Sequence, residues 1–169
     1  MVVVKCVTGM EYLIDAENLI NAKFDGLNLH RALLYEQDLR GASFRKADLS
    51  GAFVYQSDIR EAVFEQANLI NAVFDSSSMD GCSFVENKSI GTSFRNASIQ
   101  NARYSRANCY GAYFTGANLS GTVFLDCQLE QVDFSESIMI GVRLDGSTFD
   151  KGTLWPDNFS PLLAGAVIL

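Results

Sequence analysis

Residues 42–61 read ASFRK ADLSG AFVYQ SDIRE, which are four consecutive units of five residues with one common pattern. Each unit starts with a small residue, has a large apolar residue two positions later, and ends with residues that are mostly polar. Neither an α-helix, in which apolar residues recur about every 3.6 positions, nor a plain β-strand, in which they alternate, gives a period of five. An internal repeat of this kind decides the architecture of a chain, so this stretch predicts a repeat fold.

The same frame extends over most of the chain. Every fifth residue from Leu19 to Leu154 gives 28 positions, of which 27 are apolar, against 48% for the whole sequence. Ten of these centres are leucine, ten are phenylalanine, and Ser89 is the exception. Two residues before each centre lies a second register, in which 24 of 28 residues are small and 13 are alanine. We therefore expect an unbroken repeat from Leu19 to Leu154.

Within a unit, the small residue and the centre are two positions apart, so in an extended segment they share a face. The other residues must turn the chain, and repeating this step winds it into a solenoid. With four sides to a coil, centres twenty residues apart stack. One side then contains Phe24, Phe44, Phe64, Phe84, Tyr104, Phe124 and Leu144, and the opposite side contains Leu34, Val54, Phe74, Phe94, Phe114, Phe134 and Leu154. About seven coils at the usual interstrand spacing give a rod of roughly 34 Å.

These motifs, such as KADLS at residues 46–50 and GANLS at residues 116–120, resemble the pentapeptide-repeat family over about residues 15–152. The resemblance implies an all-β fold, the right-handed quadrilateral β-helix. Residues 154–166 look like the tail of cyanobacterial members. Many members of the family have no known activity, and the best-understood ones bind DNA gyrase as mimics of duplex DNA.

The pattern divides the chain into three segments. We expect residues 1–15 to form an N-terminal cap, residues 16–153 the β-helix and residues 154–169 a C-terminal cap. The open ends of a solenoid expose strand edges that promote aggregation unless they are covered. Apolar residues in both terminal segments suit this role, and Pro156 and Pro161 end the ladder. The alternatives to a monomer with capped ends are a dimer through one end and a dimer through a face.

Composition restricts the function. The net charge of −7 and the pI near 4.6 argue against direct binding of nucleic acid. No apolar run approaches membrane-spanning length and the N-terminus does not resemble a secretory signal, so we expect a cytoplasmic protein. His30 is the only histidine, and no second ligand lies at metal-binding spacing from it. We therefore expect no enzyme activity and no catalytic, cofactor-binding or metal-binding residues.

The four cysteines form no CxxC pair. In the predicted frame, Cys109 and Cys127 lie inward on one side in adjacent coils. Buried thiols are the favoured interpretation in a cytoplasmic protein, and a disulfide between these two residues is the alternative.

One position breaks the inward pattern. Asn87 and Ser89 place polar groups where a small and a large apolar residue are expected. Because an unpaired buried amide costs about 1–3 kcal/mol, Asn87 must have a partner. We consider an inward asparagine bonded to the backbone, a small local bulge, and a binding site at this core defect.

One side of the rod carries an unusual group of outward apolar residues. The group, which we call the tyrosine patch, comprises Leu33, Tyr35, Phe53, Tyr55 and Val73. Five contiguous residues, two of them tyrosine, are typical of an interface, although β-branched and aromatic residues also suit exposed strands. The sequence thus favours a scaffold or adaptor that docks an unidentified protein. The alternative is a gyrase-binding DNA mimic, but acidic residues such as Asp38 and Asp58 alternate with Arg40 and Arg60, and no acidic stripe is evident.

Overall fold

The computed structural model describes residues 1–14 and 17–169, and the predicted boundary between residues 15 and 16 lies outside them. The chain is a four-sided β-helix whose sides are mostly joined by single parallel bridges between residues twenty apart, such as Lys23 with Ser43. Where the ladder is longer it forms strands. These are β1 (Val2–Cys6), β2 (Glu11–Ile14), β3 (Ala32–Leu33), β4 (Ser83–Val85), β5 (Arg103–Ser105), β6 (Val123–Leu125), β7 (Thr148–Phe149) and β8 (Val167–Ile168).

The predicted stacking of centres is confirmed through most of the rod. In the parallel sheet β4-β5-β6, Phe84 pairs with Tyr104 and Tyr104 with Phe124. The aromatic rings of one column are parallel, with centroids 4.3 Å apart for Phe84 and Tyr104 and 4.7 Å apart for Tyr104 and Phe124. Rings of the opposite column meet them edge to face, as Phe94 does with Phe84 at 6.0 Å. Stacked and edge-to-face rings are the favoured aromatic geometries, so the two columns fill the interior.

The turns between sides share one backbone feature from residue 21 to residue 146. The residue two positions after a centre has a positive φ, for example 55° at Asn21 and 62° at Gly91. In most turns the next amide bonds to the carbonyl of the centre, as from Ala22 to Leu19 at 3.2 Å, whereas the amides of Gln37 and Ser57 bond to a serine hydroxyl of the next coil. This is a β-turn with a left-handed third residue, a position that favours glycine and asparagine. The predicted turning role of these residues therefore has a specific conformational reason.

Serine and threonine replace alanine inside the rod without leaving their hydroxyls unpaired. The Ser57 hydroxyl donates to the Leu34 carbonyl at 2.9 Å, and the Thr92 hydroxyl donates to the Leu69 carbonyl at 2.7 Å. Each acceptor belongs to the preceding coil. Buried hydroxyls are normally bonded in this way, so the small register tolerates serine and threonine as well as alanine.

The N-terminal hairpin covers the first coil on the side that contains β3. Strand β1 lies between β2 and β3 and pairs antiparallel with both, so the sheet on this side has two strands beyond the repeat. Val4 and Cys6 are buried against the core, and the Tyr12 hydroxyl donates to the Asn28 carbonyl. The antiparallel hairpin thus ends the parallel ladder.

At the C-terminal end the repeat frame shifts by one residue. Asp133 pairs with Leu154, a separation of 21, and Leu154 is 52% exposed, so the prediction that Leu154 is the last inward centre is wrong. Trp155 takes that place and stacks on Phe134 with centroids 4.8 Å apart, while Thr153 fills the small position. The cause is an extra residue in the preceding turn, where the Asp150 carboxylate accepts a bond from the Gly152 amide.

Candidate protein-interaction surface

The tyrosine patch lies on the side of the rod that carries β3. Leu33, Phe53 and Val73 are joined by successive parallel bridges, so they form one outward column. In the neighbouring column the rings of Tyr35 and Tyr55 stack with centroids 5.1 Å apart and an angle of 4°. The structure therefore brings all five residues together on one surface.

Exposure varies within the patch. Leu33 and Tyr35, at its N-terminal edge, are 36% and 38% exposed, whereas Phe53, Tyr55 and Val73 are half-buried by their neighbours in the columns. Cross-strand neighbours of this kind cover part of one another while leaving one continuous outer surface.

The N-terminal hairpin adds exposed apolar residues beside this surface, which the sequence pattern did not predict. Lys5 of β1 pairs with Leu33 of the patch, and Val3 lies two residues before Lys5 on the same strand. Val3 in turn pairs with Leu13, and the two side chains are 44% and 68% exposed. The apolar residues of the N-terminal segment indicated a cap, but nothing in the repeat indicated that a strand of this cap would run antiparallel beside the patch.

Two family models match the chain in consecutive parts. A model of the pentapeptide repeat region matches residues 57–134, and a model of eight pentapeptide repeats matches residues 18–53. Together they cover most of the coils described above. The chain belongs to the pentapeptide-repeat family. The β-helix is accordingly right-handed and quadrilateral, as the sequence resemblance implied.

Three solved structures are similar to this chain, and the one with a TM-score above 0.5 shares its fold. A trypsin-treated form of QnrB1, a plasmid-mediated fluoroquinolone resistance protein, is 23% identical with a TM-score of 0.52, over 80% of this chain and 70% of QnrB1. Rfr23 from the cyanobacterium Cyanothece 51142 is 24% identical with a TM-score of 0.34 over 64% of this chain, which spans 63% of Rfr23. HetL, involved in heterocyst differentiation regulation in Nostoc sp. strain PCC 7120, is 22% identical with a TM-score of 0.30 over 81% of this chain and 78% of HetL. A comparison with curated proteins gives no match.

The core defect is a buried polar pair in an otherwise regular pentapeptide-repeat ladder. Asn87 and Ser89 are both buried, and the Asn87 side-chain amide donates to the Ser89 hydroxyl at 2.7 Å. The backbone bonds on either side are intact, from Lys88 to Ala67 and from Asn108 to Asn87, each 3.0 Å. Asn87 lies inward, as in the first of the three alternatives, but its amide donates to the neighbouring side chain and not to the backbone. The second alternative, a bulge, is absent from this part of the described ladder.

The polar pair at the core defect is incompletely hydrogen-bonded and is not exposed to solvent. The Oδ1 atom of Asn87 has no hydrogen-bond partner among residues 1–14 and 17–169, and the same holds for the hydroxyl of Tyr104 in the next coil. Burial and the neighbouring thiols raise the pKa of Tyr104. Since these groups are all enclosed by the rod, a ligand that approaches from solvent does not reach them.

The cysteines are unbridged and buried within the described chain. Burial raises the pKa of Cys127 to about 11 and also raises that of Cys109. A thiol with a raised pKa is protonated at neutral pH and a poor nucleophile. This arrangement agrees with the buried-thiol interpretation and not with a disulfide between Cys109 and Cys127.

The remaining candidate groups are isolated. The His30 ring lies 2.8 Å from the Ser50 hydroxyl through Nδ1. Within the described ranges, no group of three histidine, cysteine, aspartate or glutamate residues is placed to hold a metal ion. The described residues also contain no helix that is long and apolar enough to cross a membrane.

Surface acids of the rod are interleaved with arginines, as the sequence indicated. The Arg40 guanidinium donates two bonds to Asp38, at 2.8 and 2.6 Å, and Arg60 binds Asp58 with the same geometry one coil later. These hydrogen bonds hold the pKa values of both aspartates below their usual range. The pairs neutralise much of the negative charge on this side.

Proposed function

We propose that this pentapeptide-repeat protein is a scaffold or adaptor that docks a partner protein on the tyrosine patch. The observation that supports it is the stacked pair Tyr35 and Tyr55 beside the apolar column of Leu33, Phe53 and Val73. Aromatic residues are enriched at protein interfaces, where they bury a large area with few rotatable bonds.

The arrangement differs from that on the adjacent side. There Ile70, Ile90 and Tyr110 also form an outward apolar column, but the column beside it contains Asn68, Lys88 and Asn108. A single column is common on exposed strands, where apolar side chains suit the pleated surface. The tyrosine patch has two adjacent apolar columns, and the exposed pair Val3 and Leu13 lies on the hairpin that adjoins it, so it offers a broader contact area.

The double change Phe53→Ser with Tyr55→Ser is expected to abolish capture of the partner from an extract of the native cell. Both side chains point outward, so we expect each change to cost less than about 1 kcal/mol of stability. The measurement compares proteins retained by the wild type and by the variant, together with thermal unfolding.

Ile90→Ser with Tyr110→Ser is the matched control, because it removes an equally apolar pair from the adjacent side. A protein retained by the wild type and by this control, but lost by the patch variant, is the expected partner. Equal retention by both variants would exclude the tyrosine patch as the docking surface.

The second candidate function is that of a DNA mimic acting on a type II topoisomerase. The net charge of −7 and the shared fold with the fluoroquinolone resistance protein QnrB1 favour it. The pairing of Asp38 with Arg40 and of Asp58 with Arg60 argues against it, because a mimic of duplex DNA requires an uninterrupted acidic surface.

We therefore expect the protein to leave gyrase supercoiling unchanged, both alone and with a fluoroquinolone. A supercoiling assay over a range of protein concentrations measures this. Inhibition of supercoiling, or protection from the drug, would favour the DNA mimic over the scaffold.

A further inference from the structure

A cleft of about 330 Å³ lies at the C-terminal edge of the tyrosine patch, lined by Tyr55, Gln56, Val73, Asp75 and Ser76. Tyr35 covers one face of the Tyr55 ring, so the other face is directed toward the next coil. In that coil the column continues with Asp75, whose side chain is too short to cover the ring. The cleft forms where the column changes from the large ring of Tyr55 to the short side chain of Asp75.

The carboxylate in this cleft is held in place at one oxygen. Oδ1 of Asp75 accepts bonds from the Ser93 hydroxyl at 2.5 Å and from the Arg95 amide at 3.0 Å. Among the residues that the structure describes, no hydrogen bond or ion pair uses Oδ2. The cleft therefore combines an open aromatic face with a fixed anionic oxygen, the two groups that attract a cation.

The same side of the rod already contains a guanidinium stacked on an outward tyrosine. The guanidinium carbon of Arg95 lies 4.1 Å from the centroid of the Tyr113 ring, and the group donates to the Ser93 hydroxyl at 2.7 Å. Arg95 is thereby directed toward Tyr113 and not toward Tyr55. The open face of Tyr55 is an aromatic surface like that of Tyr113, with the Asp75 carboxylate beside it. No cation of the described chain stacks on this face.

We propose that this cleft binds a basic side chain, in the first instance arginine, of the protein that docks on the tyrosine patch. This inference rests on the proposed function and specifies its partner as an apolar segment that carries an arginine. A guanidinium can stack on Tyr55 and donate to Oδ2 of Asp75 at once, because it is planar and carries donors along its edge. The net charge of −7 also attracts a basic partner.

The test uses the 15N-labelled full chain and two probes, N-acetyl-arginine amide and its uncharged analogue N-acetyl-citrulline amide. We expect the arginine probe to cause saturable NMR shifts of the amides of Gln56, Val73 and Ser76, with a Kd in roughly the millimolar range. The citrulline probe keeps the planar urea but lacks the charge, so we expect it to bind at least about tenfold more weakly.

Asp75→Asn removes the negative charge but keeps the local structure, since an asparagine oxygen can still accept the bonds from Ser93 and Arg95. We expect this variant to weaken arginine binding at least about tenfold with unchanged thermal unfolding. Asp25→Asn is the matched control. Asp25 accepts bonds from the Ser43 hydroxyl at 2.5 Å and from the Arg45 amide at 2.9 Å, but its column contains no tyrosine.

Equal binding of the two probes, or unchanged arginine binding by Asp75→Asn, would overturn the subsite. Tyr55→Leu keeps the carboxylate and gives an independent measurement, since loss of the ring alone is also expected to weaken binding of the arginine probe. Partner capture distinguishes this failure from that of the proposed function. If the patch variant loses the partner and Asp75→Asn retains it, the patch is the docking surface and the arginine subsite is wrong.

Discussion

Phe94→Ala is expected to lower the free energy of unfolding by about 3–5 kcal/mol, the usual cost of removing a fully buried phenylalanine. The Phe94 ring is completely buried and stacks between Phe74 and Phe114, with centroids 5.4 and 4.8 Å away. It also meets Phe84 edge to face at 6.0 Å. Because each coil is held by its two neighbours, the resulting cavity has little room to collapse. Urea unfolding followed by circular dichroism measures the loss.

Arg103→Ala is the control for this prediction, since Arg103 lies on an exposed part of β5. We expect it to change stability by less than about 0.5 kcal/mol. Similar losses for the two variants would show that the inward and outward registers carry no energetic difference.

Ser89→Leu is expected to destabilise the protein by about 2–5 kcal/mol, although leucine is the commonest type in its column. The Ser89 hydroxyl is the partner of the buried Asn87 amide, so its removal leaves that side chain unpaired in the core. The larger leucine also overpacks the space that Asn87 occupies.

The double change Asn87→Ala with Ser89→Leu is expected to have the opposite effect on stability and to stabilise the protein by about 1–3 kcal/mol. It restores the small and large apolar residues of the repeat and removes the unpaired Oδ1 of Asn87. The comparison of single and double variants by urea unfolding forms a double-mutant cycle. Additive effects would mean that the two side chains do not act as one polar pair.

The repeat was predictable because each unit is a local pattern whose neighbours lie at a fixed distance in sequence. Twenty-residue stacking assigns both a partner and a direction to residues such as Phe84 and Tyr104, and the structure confirms them. The assignment failed at Leu154, where both Leu154 and Trp155 are apolar and one extra residue in the turn decides which of them faces inward. A single-residue shift moves every following side chain to the other face.

The same reasoning explains what was predicted of the candidate site. The columns of the tyrosine patch follow from the period, so the positions of Leu33, Phe53 and Val73 required no further information. The contributions of Val3 and Leu13 depend on an antiparallel pairing outside the repeat, which has no fixed sequence separation. The partner of Asn87 was likewise missed, because a side-chain bond two residues away depends on rotamers and not on the period.

Trp155 gives the protein a fluorescence signal that reports on one end only. It is the single tryptophan, and its ring continues the aromatic column from Phe134 at the C-terminal end. In a solenoid each coil is stabilised by its nearest neighbours, so the terminal coils can open while the middle remains folded. Tryptophan emission therefore follows the opening of this end, whereas circular dichroism follows the whole ladder. A difference between the two transitions measures how independently the end of the rod unfolds.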